Sequence, residues 1–249
     1  MSGDIPNPDV TNYGIDAAAT FDSNADYSNS CPPLIPGCPN PRNTAGAPQP
    51  CNDSFWAAHS SSAIVDHTLD HIDTAQQLGK PFYVNAWFHV SHAVLAPTPP
   101  QLVPYPFEKV CRLPAIASNQ TTCSQQIFYA SQTNGDTQIG RLFKGLESRG
   151  LWGPTSDNNT LVILSTDNGP EEPRVFPNAV GTTGRLRGRK RSIYDGGIRV
   201  PLMMSWPGKF GASRFEDAPV GAVDWVRIHF SSVFNFFLLK LFSCLPCMH

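Results

Sequence analysis

The chain has 249 residues, of which 41% are hydrophobic and 15% charged, and its formal net charge is −2. That length fills one or two domains with a buried core, and the near-neutral balance gives no global field that would draw the protein to nucleic acid or to a membrane surface. Its 24 prolines imply a large share of irregular chain.

Residues 1–54 are rich in Pro, Asn, Ser and Asp without a sustained period, and read as an irregular surface segment. From Phe55 to Leu78, apolar residues at Ile64/Val65, Leu69, Ile72 and Leu78 recur at helical spacing, and Gly79 supplies a stop. Pro81–Phe88 is aromatic and β-branched, which predicts a strand. Residues 93–123 are proline-rich and read as a long loop. Ile127–Glu147 is an amphipathic helix carrying Ile139, Leu142, Phe143 and Leu146 on one face, with Arg149-Gly150 at its end. A short β-branched run, Leu161–Leu164, predicts a buried strand, and a last strand is expected over Val200–Trp206. Strands alternating with helices indicate an α/β layer architecture.

The Leu161–Leu164 strand ends in Ser165 and Thr166 and delivers Asp167 and Asn168 where a buried strand emerges. In open α/β sheets, ligands bind outside the carboxyl ends of the strands. A carboxylate and an amide both present hard oxygens, which suit Ca²⁺ or Mg²⁺. Arg185, Arg187, Arg189, Lys190 and Arg191 follow in one loop. A cation-binding pair followed by an anion-attracting loop points to a metal-assisted site for an anionic ester. Asn168-Gly169 taken alone is an ordinary tight-turn dipeptide, and RLRGRKR taken alone could be a nuclear-localisation run. The strand before the first and the GGIRVP segment after the second argue for the site instead.

These strings resemble the sulfatase family of the alkaline-phosphatase superfamily, arylsulfatases and N-acetylgalactosamine-6-sulfatases among them. Thr166-Asp167-Asn168-Gly169 is similar to its T/S-D-N-G, Leu186–Lys190 to its L-R-G-x-K, and Asp195–Pro201 to its E-G-G-I-R-V-P. Lys80–His92 resembles the strand leading to the family's active-site histidine, and Ile127–Leu151 the helix before the D-N-G strand. The resemblance implies an alkaline-phosphatase-like α/β sulfatase domain over residues 55–228, and a sulfuric ester hydrolase acting on a sulfated small molecule or glycan.

By that resemblance Asp167 and Asn168 are two of the family's metal ligands, half of a Ca²⁺ (or Mg²⁺) site. Lys190 binds the sulfate group, and an ammonium with three donors suits a tetrahedral anion. His92 contacts the ester and protonates the leaving alcohol, a role for which imidazole is suited by its ordinary pKa. His89, three residues earlier, is expected to be structural and, by strand alternation, to face away from His92. Arg189 and Arg191 stand where the family commonly has glycines. Arg189 is a further candidate substrate contact, and the pair either favours a polyanionic substrate such as a sulfated polysaccharide or simply crowds the pocket. Asp195 replaces the family's glutamate and is expected to brace the loop with Arg199, while Glu171 and Glu172 read as solvated loop charges.

Two parts depart from the family. Its opening aspartate strand and its C-x-P-S-R element, whose cysteine becomes the formylglycine nucleophile, have no match. Cys38-Pro39-Asn40-Pro41-Arg42 has asparagine at the proline position, and Cys31 lacks the arginine. On this reading the chain is an interior piece of a longer sulfatase, inactive by itself. Residues 229–249 form an apolar tail without family resemblance, too short and too interrupted by Lys240 for a membrane span, and read as a translated non-coding or frame-shifted end.

Seven cysteines, with Cys111 and Cys123 the best candidate pair, and sequons at Asn52, Asn119 and Asn158 lean towards a secretory, extracellular or lysosomal parent. The opening residues carry no signal-peptide pattern. Two other readings stay open: a phosphodiesterase or phosphonate hydrolase of the same superfamily, and an inactive relative that binds sulfated glycans. The oligomeric state is not legible.

Overall fold

The computed structural model describes residues 53–92, 95, 97–105, 124–154, 159–172, 180–207, 209–211, 214–221, 224 and 237–242. All seven cysteines and the three sequon asparagines lie outside the described residues, as do the Cys31 and Cys38 strings.

The Leu161–Leu164 run has no polar alternation, the pattern of a strand covered on both faces. It forms β2 (Thr160–Ser165), buried at every position but Leu164. Period-two geometry sends its side chains to opposite faces. Val162, with Leu164 against it, joins the larger core. Leu161 and Ile163 pack with Leu202 and Trp206 on the other side. β1 (Tyr83–Trp87) and β3 (Leu202–Ser205) are shorter than their expected spans. β3 pairs antiparallel with β2, setting Ser165 opposite Leu202.

β4 (Phe237–Phe242) changes the picture drawn from sequence. The sheet order is β1-β4-β2-β3, with β4 parallel to both neighbours. The apolar run expected to form a tail outside the domain therefore supplies a central strand. Six apolar-rich residues are too few to span a bilayer but enough for an inner strand. No helix among the described residues is long and apolar enough to cross a membrane.

Two 25-residue helices, α1 (Asp53–Gln77) and α3 (Ser124–Ser148), cover the Val162 face. Between them the expected loop contains a four-residue helix, α2 (Pro99–Leu102), led by Thr98, whose backbone N–H donates to Gln101 Oε1. Val65 and Ile72 from α1 and Leu142 and Leu146 from α3 are fully buried, worth about 1.5–3 kcal/mol apiece in transfer free energy. The helices approach closely at Gly145, where a Cβ would stand 2.7 Å from Leu69 Cδ2. Arg141 donates to Asp66 at 2.5 Å and to the Ser62 carbonyl at 2.8 Å. Arg149 grips both oxygens of Asp73 at 2.6 Å and holds that carboxyl below its ordinary pKa. α1 ends where expected, at Gly79 with φ +61°, a conformation glycine adopts without steric penalty.

Candidate functional site

The sheet register sets the ends of two strands level. Trp87 of β1 and Ser165 of β2 both pair with Phe242 of β4. Their carboxyl ends are thus separated by two strand spacings, about 10 Å. One end leads into Asp167 and Asn168, the other into His89 and His92.

Beyond β2 the chain turns tightly. Thr166 Oγ1 donates to the Asn168 carbonyl at 3.2 Å, and the Asn168 N–H donates to Asp167 Oδ1 at 2.8 Å. Asn168 Nδ2 donates to the Gly169 carbonyl at 2.8 Å. The amide nitrogen is thereby committed, which leaves Oδ1 as the atom a cation would use. Asp167 is exposed and Asn168 half-buried.

Three separate stretches then interlock through their backbones. The Gly169 N–H donates to the Gly197 carbonyl at 2.8 Å, and the Gly196 N–H to the Arg187 carbonyl at 2.7 Å. A Cβ on Gly169 would overlap the Gly196 carbonyl, and one on Gly196 would overlap the Gly188 carbonyl. A Cβ on Gly197 would overlap the carbonyl of Ser192. Gly196 and Gly197 belong to the one-turn helix α4 (Asp195–Ile198). The glycines of D-N-G and D-G-G are therefore there because backbone fills the space a side chain needs, whereas Gly188 of L-R-G has φ +86° and faces the side chains of Ser192 and Tyr194. Lys190 closes the cluster: its N–H donates to the Pro170 carbonyl at 3.0 Å, two residues past Asn168.

The basic loop divides by partner. The Arg187 guanidinium lies 3.8 Å from the Tyr194 ring centroid, a cation–π contact. Arg189 Nη1 donates to the Glu171 carbonyl at 3.1 Å and to the Gly181 carbonyl at 2.9 Å, and its Nε is 4.0 Å from Glu172. The Nη1 and Nε of this candidate substrate contact thus face the loop. Arg191 pairs with Glu171. Glu171 is accordingly no solvated charge: its side chain is only 13% exposed. Burial pushes its carboxyl up, but the Glu172 N–H and the Arg191 and Lys190 charges outweigh this and hold it below the ordinary value. The Lys190 ammonium pairs with no carboxylate among the described residues. Asp195 and Arg199 meet at 3.6 Å, both largely exposed.

At the other end, the two histidines are not on one strand. β1 stops at Trp87 and the chain bends, with the His92 N–H donating to the His89 carbonyl at 2.7 Å. Their rings lie 5.4 Å apart instead of on opposite faces, since alternation holds only while the strand continues. His89 is 7% exposed, and burial first, then the charge of His92, pushes its imidazole down to about 4. Gly135 of α3 backs this bend, where a Cβ would be 3.4 Å from Val90 Cγ1. Asp167, Asn168 and Lys190 are thus gathered in one loop cluster, and His92 reaches the same sheet edge on a separate bend.

Sequence reasoning missed the Glu171–Arg191 pair and the contact of His89 with His92. Two acids just after the D-N-G turn, matched by arginines flanking the lysine, were a visible signal for the first. No signal located the strand end that decides the second.

The Sulfatase family profile matches residues 5–231, reaching well into the segment read as irregular and stopping short of β4. The chain is similar to the steryl-sulfatase of Rattus norvegicus, 34% identical over 92 residues, 36% of this chain and 15% of the relative. It is also similar to a sulfatase of Formosa agariphila, 28% identical over 155 residues, 60% of this chain and 25% of the relative. With arylsulfatase A of Homo sapiens the identity is 38% over 73 residues, 29% of this chain and 13% of the relative. The chain spans a quarter or less of the length of these relatives. The profile runs through all three of the interlocked segments as well as both histidines, and the chain belongs to the sulfatase family, with that family's alkaline-phosphatase-like α/β fold.

Proposed function

We propose that these residues form the metal-ligand and sulfate-contact part of a sulfuric ester hydrolase for a sulfated small molecule or glycan, from a secreted or lysosomal parent. The supporting observation is the backbone lock that ties the Lys190 loop to the Asp167–Asn168 turn.

Asp167 and Asn168 would hold a Ca²⁺ or Mg²⁺ ion through a carboxylate and an amide oxygen. The donor set is of the right kind, and two residues supply only part of the six or more oxygens a hard cation takes. No group of three or more His, Cys, Asp or Glu among the described residues could complete it. A bound cation supplies positive charge at the oxygens of the sulfate ester. Lys190 donates hydrogen bonds to the same anion, and preorganised donors of this kind lower the barrier by matching the charge of the transition state. His92 donates its proton to the departing alkoxide. The Cys38–Arg42 string does not fit the family's formylglycine element, so the nucleophile is not assigned to this chain.

The test is titration of inorganic sulfate into the full chain, with and without Ca²⁺, at ionic strength held constant with NaCl. Lys190→Ala should weaken binding by about tenfold or more, the loss of one charge-assisted contact. Unchanged affinity would remove Lys190 from the site. Turnover of an aryl sulfate by the unaltered chain would overturn the claim that it lacks a nucleophile.

A further inference from the structure

We infer that Glu171 and Arg191 are positioning residues for Lys190, an ionic clasp that fixes the lysine against the Asp167–Asn168 turn. This rests on Lys190 being the sulfate contact.

Three successive residues of the basic loop are each tied to the stretch that directly follows the turn. Arg189 donates to the Glu171 carbonyl and approaches Glu172. The Lys190 N–H donates to the Pro170 carbonyl. Arg191 pairs with the Glu171 carboxylate, which also accepts the Glu172 N–H at 2.8 Å. Glu171 thus receives both neighbours of Lys190, one on its carbonyl and one on its side chain. The Ser192 N–H donates to the Arg189 carbonyl at 3.0 Å, so Lys190 and Arg191 are the central pair of a four-residue turn.

The backbone gives a second, independent reason to look at Arg191. It has φ +71°, and among the described residues it is the only residue other than glycine with a positive φ. In a turn, the third residue with positive φ is ordinarily glycine, because any Cβ is crowded there. An arginine at that place is selected against by its own backbone, so its side chain has to be the reason for its presence. That side chain reaches Glu171. Lys190, like Arg185 and Arg187 without a carboxylate partner among the described residues, sits between two residues that are held.

The sign of one substitution separates positioning from bulk charge. Glu171 is an anion beside a proposed anion site, so Coulomb's law alone predicts that Glu171→Gln strengthens sulfate binding. A clasp predicts the reverse. Inorganic sulfate titrated into the full chain, at constant ionic strength, is expected to bind about five- to tenfold more weakly to Glu171→Gln. Affinity equal to or above the parent's would overturn the inference. Should Glu171→Gln fail to fold by circular dichroism, Arg191→Gly, which relieves the backbone, and Arg191→Gly with Glu171→Gln carry the test. In the glycine background the glutamine is expected to have no further weakening effect; an added loss of similar size would overturn the clasp. Lys190→Ala is the control: if it binds sulfate as well as the parent, the underlying reading of the site fails, whereas loss in Lys190→Ala with no loss in Glu171→Gln removes the clasp alone.

Discussion

At the end of β2 the chain is fixed by backbone against backbone, and at the end of β1 by side chains turned away from water. In the first region Gly169, Gly196 and Gly197 let three stretches of main chain touch, and hydrogen bonds from Gly169, Lys190 and Gly196 join them. In the second, His89 and Val90 are buried and α3 approaches Val90 at Gly135. The difference teaches how each region holds a site residue. A backbone lock holds the Asp167–Asn168 turn and the Lys190 loop together through main-chain atoms, while a packed bend uses one histidine as filler beneath another.

The comparison breaks most sharply at Gly196. Adding one methyl there puts a Cβ into the carbonyls of Gly188 and Arg187, and neither is a flexible side-chain end that could swing away. Gly196→Ala should therefore cost about 3–5 kcal/mol, well beyond ordinary overpacking, measured by urea unfolding. It should also dissociate sulfate from the site by moving the Lys190 loop. Gly140 provides the contrast, since nothing lies within 4 Å of a Cβ there and alanine favours the helix. Equal destabilisation at the two positions would mean that the loop cluster is soft, not locked.

The bend after β1 should respond to pH instead. His89 is neutral in the folded state until pH falls to about 4, whereas an unfolded histidine takes a proton below about 6.5. The folded pKa is depressed, so the stability due to this group is intact above about 6.5, declines as pH falls from there to about 4, and is level below that. The full loss is roughly 3 kcal/mol. Urea midpoints at pH 7, 6, 5 and 4 for the parent and for His89→Gln measure it, the carboxylates cancelling between the two. Parallel curves would show that the bend is not held by burial of a neutral imidazole.

How much of this was legible follows the same division. Helix and strand patterning placed α1, α3, β2 and β3 within a few residues, and α1, α3 and β2 each bury a face that the spacing of Ile72, Leu142 or Val162 declares in advance. The glycine motifs marked the loop cluster for the same local reason. β4 was not legible: FLLKLF is apolar enough for a strand or a tail, and only pairing with β1 and β2, more than seventy residues away in sequence, decides between them. The relation of His89 to His92 turned on where β1 stops, one of the least certain features of a sequence reading. The Glu171–Arg191 pair was signalled by two acids after the turn and two arginines flanking the lysine, but which acid meets which arginine depends on the loop's path, which no periodicity encodes.

The smallest expected effect lies inside the locked region and sharpens what the lock consists of. Arg199 follows α4 and sits 3.6 Å from Asp195, four residues back, with the two side chains 72% and 57% exposed. An ion pair so open to water is screened and must order two flexible side chains, so it contributes within about 0.5 kcal/mol. Meanwhile the Arg199 backbone N–H already donates to the Asp195 carbonyl at 2.8 Å, a bond that alanine keeps. Arg199→Ala should leave the urea midpoint nearly unmoved, where Gly196→Ala three residues earlier shifts it greatly. A loss at Arg199 approaching that at Gly196 would mean the D-G-G-I-R segment is held by its charges, and that the backbone contacts around it are a consequence of the ion pair instead of its frame.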